Sequence, residues 1–433
     1  MLSFYLLLFL LFSMIMSNCK KFCSSKFTLF TVQIQNKKII SPEFLPRELV
    51  SNILSRLPAN DLMRCKHVCK SWYNLITDPH FITNYHVFYN NLKHCQREQD
   101  LLVIRRPFLS SLKTYISVLS CNFNQPKMHI SSHLLSPSIE FSSDHKYWTE
   151  ILGPCNGIYL LQGNPHVMMN PSIKQFKTLP QSYSTGPRGT YSLTDHAGFG
   201  YDPKRDDYKV VVVKDIWLRE IDERKLMHWT AEIYSLNSNS WRELDHPPPI
   251  EIWESSVVYT YVNNCYHWFG FVDESGRKED VVLAFDMANE VFRNIKVPRL
   301  RESSKEDFAT LVPYEESNSI GVIVYPVRGI EKSFDVWVLR DYWDEGTWIK
   351  KYSVESKEGI YKLVGFHASN QFLWMGINEE LMLYEADSQQ IQRFQVEGKN
   401  NSLRATVYAE SLVSLRRRND STCQFVLCNL SKL

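Results

Sequence analysis

The 433-residue sequence lacks the patterns that mark common metal and enzyme sites. Its ten cysteines include no CxxC pair, and no second pair of Cys or His follows Cys65 and Cys69 at zinc-site spacing. GxSxG, HExxH and P-loop sequences are also missing. We therefore expect no metal, no cofactor and no catalytic residue, and we interpret the cysteines as small buried hydrophobic residues in a reducing compartment.

A strong net charge is absent as well. The 49 basic and 47 acidic residues leave a formal charge of +2, which gives no general attraction to nucleic acid or to an anionic membrane. Hydrophobic residues make up 44% of the chain and aromatic residues 13%, enough for folded cores in two or three domains. We expect a protein partner that is recognised by local surface, and no nucleic acid.

Residues 1–40 begin with an apolar run, MLSFYLLLFLLFSMIM. It resembles the apolar part of a signal peptide or a short anchor, but it lacks a basic region before it and a small-x-small cleavage site after it. It is also shorter than the ~20 residues that a spanning helix needs. We interpret 1–40 as a non-essential N-terminal apolar extension and expect a cytoplasmic protein without functional membrane association. A true secretion signal is the alternative.

Residues 41–90 show helical periodicity. The apolar positions of the first helix recur at steps of three and four: Leu45, Leu49, Ile53, Leu54 and Leu57. Pro58 ends this helix, Asn60 is the predicted N-cap of the next, and an apolar stripe from Leu62 to Ile76 continues until Asp78-Pro79. The pattern predicts a small three-helix unit, which is near the lower size limit for independent folding and usually needs a partner surface.

Residues 95–428 change to short runs rich in Val, Ile, Tyr, Phe and Trp between turn residues, which is typical of an all-β domain. An apolar strand, a polar turn and a strand with an aromatic residue recur, and the aromatic positions are ~46 to ~65 residues apart, close to a kelch-like period of about 50. They are Phe176, Trp241, Phe292, Trp348 and Phe394. We predict a six-bladed propeller in which 100–123 and 404–415 share the closing blade. A pair of stacked β-sandwiches is the alternative.

The helical segment resembles the F-box family in its plant form. The matching residues are Leu45-Pro46, Glu48-Leu49, Ile53 to Pro58, Leu62 to Cys65, Val68 to Trp72, Leu75-Ile76 and Asp78 to Phe81. The resemblance implies a clamp for the Skp-type linker subunit of an SCF (cullin-RING) E3 ubiquitin ligase, with the cullin as a further partner. The residues to which it assigns the linker contact are Leu45, Pro46, Ile53, Leu54, Leu57, Pro58 and Leu62, whereas Trp72 is assigned to the core.

The β-rich segment resembles the plant F-box-associated domain. The residues that carry this likeness include Gly153 to Gly157, Asn170-Pro171, Gly198 to Asp202, Asp207 to Val211, Tyr234 to Leu236, Ser240 to Arg242, Val262 to Trp268 and Leu283 to Asp286. The fold class implied is α+β multidomain, a small three-helix F-box followed by an all-β, kelch/propeller-like F-box-associated domain.

Within that family the chain looks most like the S-locus F-box proteins of self-incompatible plants. This likeness implies a non-catalytic substrate adaptor in pollen that recognises non-self S-RNases for ubiquitination and degradation. Two alternatives stay open: an F-box adaptor for a different plant target in stress or hormone signalling, and a secreted β-propeller that binds glycans or a receptor.

The target is expected to bind to loops, which can vary without disturbing a β scaffold. Charged insertions at 214–225, 299–307, 328–332 and 340–345 are the candidates. A basic ribonuclease favours their acidic members, Asp222, Glu223, Glu306, Asp307, Asp341, Asp344 and Glu345.

Two patterns that suggest chemistry are interpreted structurally. Gly198-Phe199-Gly200 lacks the third glycine and the helix of a dinucleotide site, and a tight turn between strands explains it better. His196 and His267 lie beside aromatic residues with no identifiable partner for acid–base catalysis, so we expect solvated or hydrogen-bonded strand histidines.

Overall fold

The computed structural model describes a helical part and a β part of the chain. The described residues are 46–95, 98–105, 115–122, 129–134, 150–163, 165–182, 190–191, 195–219, 224–248, 250–252, 257–274, 277–300, 307–326, 331–368, 370–398, 402–416 and 423–425. Two compact units result. The helical unit comprises Met1–Gln96 with Glu410–Val413, and the propeller unit comprises Arg97–Ala409 with Ser414–Leu433. The apolar extension 1–40 lies outside the described residues.

The helical unit contains four described helices. They are α1 (Arg47–Leu54), α2 (Ala59–Cys65), α3 (Lys70–Ile76) and α4 (Pro79–Cys95). Pro46 and Pro58 occupy the N-cap positions of α1 and α2, so Asn60 is not the predicted N-cap but lies in the first turn. A proline suits this boundary because the first N–H groups of a helix have no partner within the helix.

The predicted second helix is in fact two helices. Cys69 adopts an extended conformation (φ −158°, ψ 165°) between α2 and α3, which breaks the apolar stripe. The predicted end of the apolar stripe at Asp78-Pro79 is confirmed, because α3 ends at Ile76, and Pro79 begins a further helix, α4. Asp78 Oδ1 accepts a hydrogen bond from the His80 N–H at 2.9 Å, as an N-cap side chain does.

The four helices share a small apolar core. Its buried side chains are Val50, Ile53, Leu54, Ala59, Leu62, Cys65, Trp72, Leu75, Ile76, Phe81, Tyr85 and Tyr89. The last three recur every four residues along α4 and form a row of stacked rings, with centroids 6.3 and 5.3 Å apart. The expected core position of Trp72 agrees with its 3% exposure.

The propeller unit contains 27 strands in the ranges that the structure describes. In chain order they are β1 (Glu98–Arg105), β2 (Tyr115–Asn122), β3 (His129–Leu134), β4 (Ile151–Cys155), β5 (Ile158–Leu161), β6 (Val167–Asn170), β7 (Gln175–Thr178), β8 (Thr190–Tyr191), β9 (Asp195–Asp202), β10 (Asp207–Arg219), β11 (Arg224–Ser235), β12 (Ser240–Glu243), β13 (Glu251–Ile252), β14 (Tyr261–Val262), β15 (Cys265–Glu274), β16 (Arg277–Asp286), β17 (Val291–Lys296), β18 (Asp307–Tyr314), β19 (Ser319–Pro326), β20 (Glu331–Leu339), β21 (Trp348–Glu358), β22 (Ile360–Ala368), β23 (Gln371–Gly376), β24 (Glu380–Glu385), β25 (Gln390–Glu397), β26 (Arg404–Val407) and β27 (Cys423–Phe425).

These strands form six antiparallel sheets of four or five strands, which are the six predicted blades. Each predicted strand–turn–aromatic unit is the hairpin of third and fourth strands in one blade: β6–β7, β11–β12, β16–β17, β20–β21 and β24–β25. The propeller is therefore confirmed and the stacked sandwiches are not found. Radial repetition leaves only short strand edges to protect from aggregation.

Two-residue turns with left-handed backbone connect several of these strands. Asn156 and Gly157 have φ of 50° and 75° between β4 and β5, and Asn263 and Asn264 have φ of 52° and 62° between β14 and β15. Asn and Gly tolerate positive φ, and such turns match the twist of the flanking strands. The sequence motifs Asn-Gly and Asn-Asn thus fix hairpin register.

Gly198 and Gly200 lie inside β9 and not in the predicted turn. A Cβ atom on Gly198 would lie 2.6 Å from the Trp268 ring, and one on Gly200 would meet the Tyr261 ring. The glycines are therefore explained by close packing of aromatic rings against the strand. No phosphate-binding role follows from them.

The C-terminal part of the chain closes the ring. Strand β26 pairs with β1, from Arg404 opposite Ile104 to Val407 opposite Leu101, as predicted for the shared blade. Strand β27 adds a second contact by pairing with β7. Side-chain bonds join β26 to the next blade, since Tyr159 Oη donates to the Val407 carbonyl at 2.9 Å.

Candidate protein-binding surfaces

The predicted linker contacts are divided between surface and core. Leu45 lies outside the described residues, Pro46 is exposed, and Leu57 and Pro58 are partly exposed. The other three side chains are buried in the helical unit itself: Ile53 is 3% exposed, Leu54 1% and Leu62 0%. These three hold the unit together in the isolated chain and offer little surface to a second protein.

Apolar surface is nevertheless concentrated in the helical unit. Among the described residues nine large hydrophobic side chains are exposed, and four of them lie in this small unit: Leu49 (41%), Tyr73 (53%), Val87 (57%) and Phe88 (38%). Exposed apolar side chains offer area that a second protein can cover. We call these four residues the apolar surface of the helical unit. Helical periodicity places Leu49 on the apolar side of its helix, although Leu49 is not among the predicted linker contacts.

A carboxylate from far along the chain completes the helical unit. Glu410 Oε2 accepts hydrogen bonds from the Ala59 N–H at 2.6 Å and from Tyr85 Oη at 2.8 Å. The Ala59 N–H is the first of α2, so the carboxylate lies where the helix dipole favours negative charge. The Asn90 side chain binds the Glu410 backbone at both its N–H and its carbonyl, at 3.0 and 3.1 Å. Sequence reasoning missed Glu410, because no local pattern relates it to a helix 351 residues earlier.

Two titratable side chains of the helical unit, Cys65 and His86, are shifted toward their uncharged forms. Burial raises the pKa of the Cys65 thiol to about 11, and burial lowers the pKa of His86 below its ordinary value. Cys65 thus behaves as a small hydrophobic residue, as expected from the sequence.

The predicted acidic target contacts are only partly brought together. Asp222, Glu223 and Glu306 lie outside the described residues, and Asp307 is half-buried at the start of β18. The remaining three, Asp341, Asp344 and Glu345, are exposed on one loop of residues 340–347 between β20 and β21.

The prediction that residues 214–225 form a charged insertion was wrong in part. Lys214 is 7% exposed within β10, and its Nζ lies 3.3 Å from Glu232 Oε1. Strands β10 and β11 extend through most of 214–225, so this segment is a long hairpin and not an insertion. Its strand residues alternate between two faces, and the charge pattern did not reveal this.

The loop 340–347 is shaped by its own side chains. Asp341 Oδ1 accepts the Trp343 N–H and Asp344 Oδ1 accepts the Gly346 N–H, each at 2.9 Å. Thr347 Oγ1 donates to the Asp344 carbonyl at 2.7 Å. These bonds present Trp343 with 71% of its surface exposed, the largest value among the exposed hydrophobic residues described. The charge pattern predicts the acidic neighbours as target contacts but does not indicate this tryptophan.

Tyr342 anchors the loop to the preceding blade. It is 3% exposed, and its hydroxyl lies 2.8 Å from His267 Nε2. Burial lowers the pKa of His267 to about 3, so this histidine is neutral at physiological pH. The expectation of a hydrogen-bonded strand histidine agrees with this geometry, which orients Tyr342 and provides no catalytic base. His196 does not meet the expectation at its Nδ1, which is buried without a hydrogen-bond partner among the described residues. Burial also lowers the pKa of His196, to about 4.

No group of three His, Cys, Asp or Glu side chains that could hold a metal ion occurs in the described ranges. In the same part of the chain no helix has the length and hydrophobicity to span a bilayer.

Comparison with known proteins identifies both units. Residues 43–84 match the F-box domain, and residues 107–426 match the F-box associated beta propeller domain. Among curated relatives, F-box protein CPR1 of Arabidopsis thaliana is 24% identical over 395 residues, covering 85% of this chain and 88% of the relative. F-box/kelch-repeat protein At3g23880 of the same plant is 24% identical over 328 residues, covering 73% and 81%. A solved structure described as the COPII outer coat vertex on membranes is 12% identical, with a TM-score of 0.36, and covers 73% of this chain and 80% of that one.

Proposed function

Because the chain belongs to the plant F-box proteins with an F-box associated beta propeller domain, we propose that its two units divide an adaptor's work. Proteins of this kind are non-catalytic substrate adaptors of SCF ubiquitin ligases. The helical unit binds the Skp-type linker subunit and the propeller binds a protein target. The adaptor acts by raising the local concentration of the target at the ligase, and not by chemistry of its own. The domain boundaries 1–40, 41–90 and 95–428 and a cytoplasmic location are parts of this proposal.

The observation that carries the proposal is the apolar surface of the helical unit, in a segment that matches the F-box domain. We assign the direct linker contacts to its exposed residues together with Pro46, Leu57 and Pro58. Ile53, Leu54 and Leu62 support these contacts from the core. Leu45 stays a predicted contact.

Exposed residues allow a test that leaves the fold intact. Leu49→Asp combined with Tyr73→Asp places charge on the apolar surface, and we expect at least a tenfold loss of affinity for the purified linker subunit. Leu54→Asp is less informative, since a charge at a 1% exposed position unfolds the unit. The matched control is Ile377→Asp in the propeller unit, where the residue is 52% exposed.

Binding of the full chain to the linker subunit is measured by calorimetry or on a sensor surface, and circular dichroism verifies that each variant is folded. Undiminished binding by the folded Leu49→Asp/Tyr73→Asp chain would reject this surface as the linker contact. Equal loss in the Ile377→Asp chain would point to general misfolding instead.

For the target we propose a non-self S-RNase in pollen, as in the S-locus F-box proteins. The support is the sequence likeness and the acidic loop 340–347, which suits a basic partner. A plant target in stress or hormone signalling stays the second candidate, because related adaptors share these motifs. A secreted binding protein is the least supported alternative.

Purified non-self S-RNases, a self S-RNase and an unrelated ribonuclease of similar basic charge separate these candidates. We expect the complex of full chain and linker subunit to retain only the non-self S-RNases. Retention of none of them, or equal retention of the unrelated ribonuclease, would contradict the S-locus role while leaving the adaptor role standing.

A further inference from the structure

Trp343 is an exposed aromatic side chain held in a fixed position. The Arg293 guanidinium lies 4.8 Å from the Trp343 ring centroid and 5.0 Å from that of Tyr342. The Tyr342 and Trp343 rings meet edge to face at 5.0 Å, and Tyr342 is fixed by its bond to His267. Arg293 from β17 thus lies over the indole, while 71% of the Trp343 surface stays exposed to solvent.

Such a side chain is costly to leave exposed and favourable in an interface. An indole buries a large area on binding, and its immobilisation by Arg293 and Tyr342 reduces the entropy that binding must spend. Trp and Arg are the residues most enriched among those that dominate binding energy. Val291, two residues before Arg293 and so on the same face of β17, is 54% exposed and extends the apolar area.

The charges around the indole favour a cationic partner. Residues 340–345 contain Arg340 and the three carboxylates of Asp341, Asp344 and Glu345, and adding Arg293 still leaves one net negative charge. None of these carboxylates forms an ion pair within the part of the chain that the structure describes. An apolar ligand would desolvate them without compensation, whereas a guanidinium or ammonium group satisfies them.

We propose that the exposed surface of Trp343, with the carboxylates of residues 341, 344 and 345, is the recognition site for a basic segment of the target protein. An Arg or Lys side chain of the target stacks on the indole as a cation–π contact and binds the carboxylates at its rim. The proposal rests on the adaptor function and specifies which surface of the propeller selects the target.

Binding of labelled peptides tests this site on the full chain in complex with the linker subunit. Three peptides of equal length are compared by fluorescence anisotropy: one rich in arginine, one uncharged and one rich in glutamate. We expect the arginine-rich peptide to bind at least about tenfold more tightly than the other two. Trp343→Ala is expected to reduce the affinity for the arginine-rich peptide about tenfold. Glu345→Lys changes a side chain that makes none of the hydrogen bonds that shape the loop, and it is expected to reduce this affinity more than Trp343→Ala does at low ionic strength.

Tyr361→Ala is the matched control, since Tyr361 is an aromatic residue 43% exposed elsewhere on the propeller. The Tyr361→Ala chain is expected to bind the arginine-rich peptide with the same affinity as the unaltered chain. Equal binding of the three peptides, or full affinity in the Trp343→Ala chain, overturns the proposal. Binding of the linker subunit is measured in the same samples. If the unaltered chain does not bind the linker subunit, the adaptor function is refuted. If every variant binds the linker subunit but the peptide predictions fail, only the proposed peptide site is refuted.

Discussion

Lys209 is a buried cation between carboxylates of two different blades. Its Nζ lies 2.6 Å from Asp202 Oδ2 in its own blade and 2.8 Å from Glu290 Oε1 in the next, with the Met287 carbonyl also at 2.8 Å. Asp202 is fully buried and receives a further bond from Arg205 at 3.0 Å. Removing one member of such a group leaves an uncompensated buried charge, which costs more than the intact pair contributes.

Lys209→Met is therefore expected to lower the free energy of unfolding of the propeller by about 3 kcal/mol. Adding Asp202→Asn is expected to recover part of that loss, because it removes a buried carboxylate that has lost its buried cation and keeps only Arg205 as an ionic partner. Lys350→Met is the control: Lys350 pairs with Asp335 at 2.8 Å on the surface, and such pairs are worth less than about 1 kcal/mol. Denaturant unfolding measures all three. A smaller loss for Lys209→Met than for Lys350→Met would contradict the argument.

The same cluster sets a pH dependence. Burial by itself raises the pKa of Asp202, but hydrogen bonds from Lys209 and Arg205 outweigh it and hold this pKa below its ordinary value. Such a carboxylate contributes stability that is complete above the ordinary carboxyl pKa of about 4 and is lost as the pH falls through the lower folded-state pKa. The Asp202→Asn variant should lose less stability than the unaltered chain over that acidic range.

At the scale of the elements, helix α2 depends on a residue that local sequence does not supply. Glu410→Ala removes the acceptor for the Ala59 N–H and Tyr85 Oη, and we expect the helical unit to lose about 1–3 kcal/mol, the penalty for an unsatisfied buried donor. Glu410→Gln keeps one oxygen acceptor and should lose less. Hydrogen exchange of the α2 and α4 amides reports on this unit separately from the propeller.

Exposed Glu48, in the first turn of α1, provides the comparison for Glu410. Glu48→Ala is expected to change protection of α2 very little, since the effect of charge at an exposed helix start is a few tenths of a kcal/mol. Equal loss of α2 protection in the Glu48 and Glu410 variants would show that Glu410 is not the cap that the structure indicates.

The elements differ in how far sequence could predict them. The blade hairpins were predictable because the apolar strand, the turn residue and the aromatic residue are neighbours in the chain. The break at Cys69 was not, because Val68 and Cys69 fit an apolar helical stripe and only tertiary packing makes Cys69 extended. Asp78-Pro79 carried a helix-start signal, N-cap followed by first-turn proline, that can also indicate a helix end.

The candidate surfaces depend on contacts between distant segments, and this limited their prediction. Amphipathic periodicity shows which side of α1 is apolar but not which of its residues the other helices cover. It therefore could not distinguish Leu54, which is buried, from Leu49, which is exposed. Trp343 stands out only when Arg293, in the preceding blade, is known to lie over its ring. Composition alone favours burial of a tryptophan.

At the scale of the whole molecule, the C-terminal segment has three separate roles. Residues 404–407 supply a strand to the first blade, Glu410–Val413 belong to the helical unit, and β27 lies at the edge of the sheet that contains β7. Leu403, which precedes β26, is fully buried. The propeller therefore closes only after nearly all of the chain has been made, and its first strand remains unpaired on one edge until then.

Two truncated chains distinguish the contribution of β26, which closes the ring, from that of β27. A chain that ends at Arg416 keeps β26 and Glu410–Val413, and we expect it to stay monomeric with a modestly lower melting temperature. A chain that ends at Leu403 exposes the edge of β1, and we expect it to aggregate and to lose cooperative unfolding. Size-exclusion chromatography and thermal melts measure both, with the Glu410→Ala chain as the reference for lost contacts in the helical unit alone. If the chain that ends at Leu403 is monomeric and melts as the Glu410→Ala chain does, pairing of β26 with β1 is not what stabilises the ring.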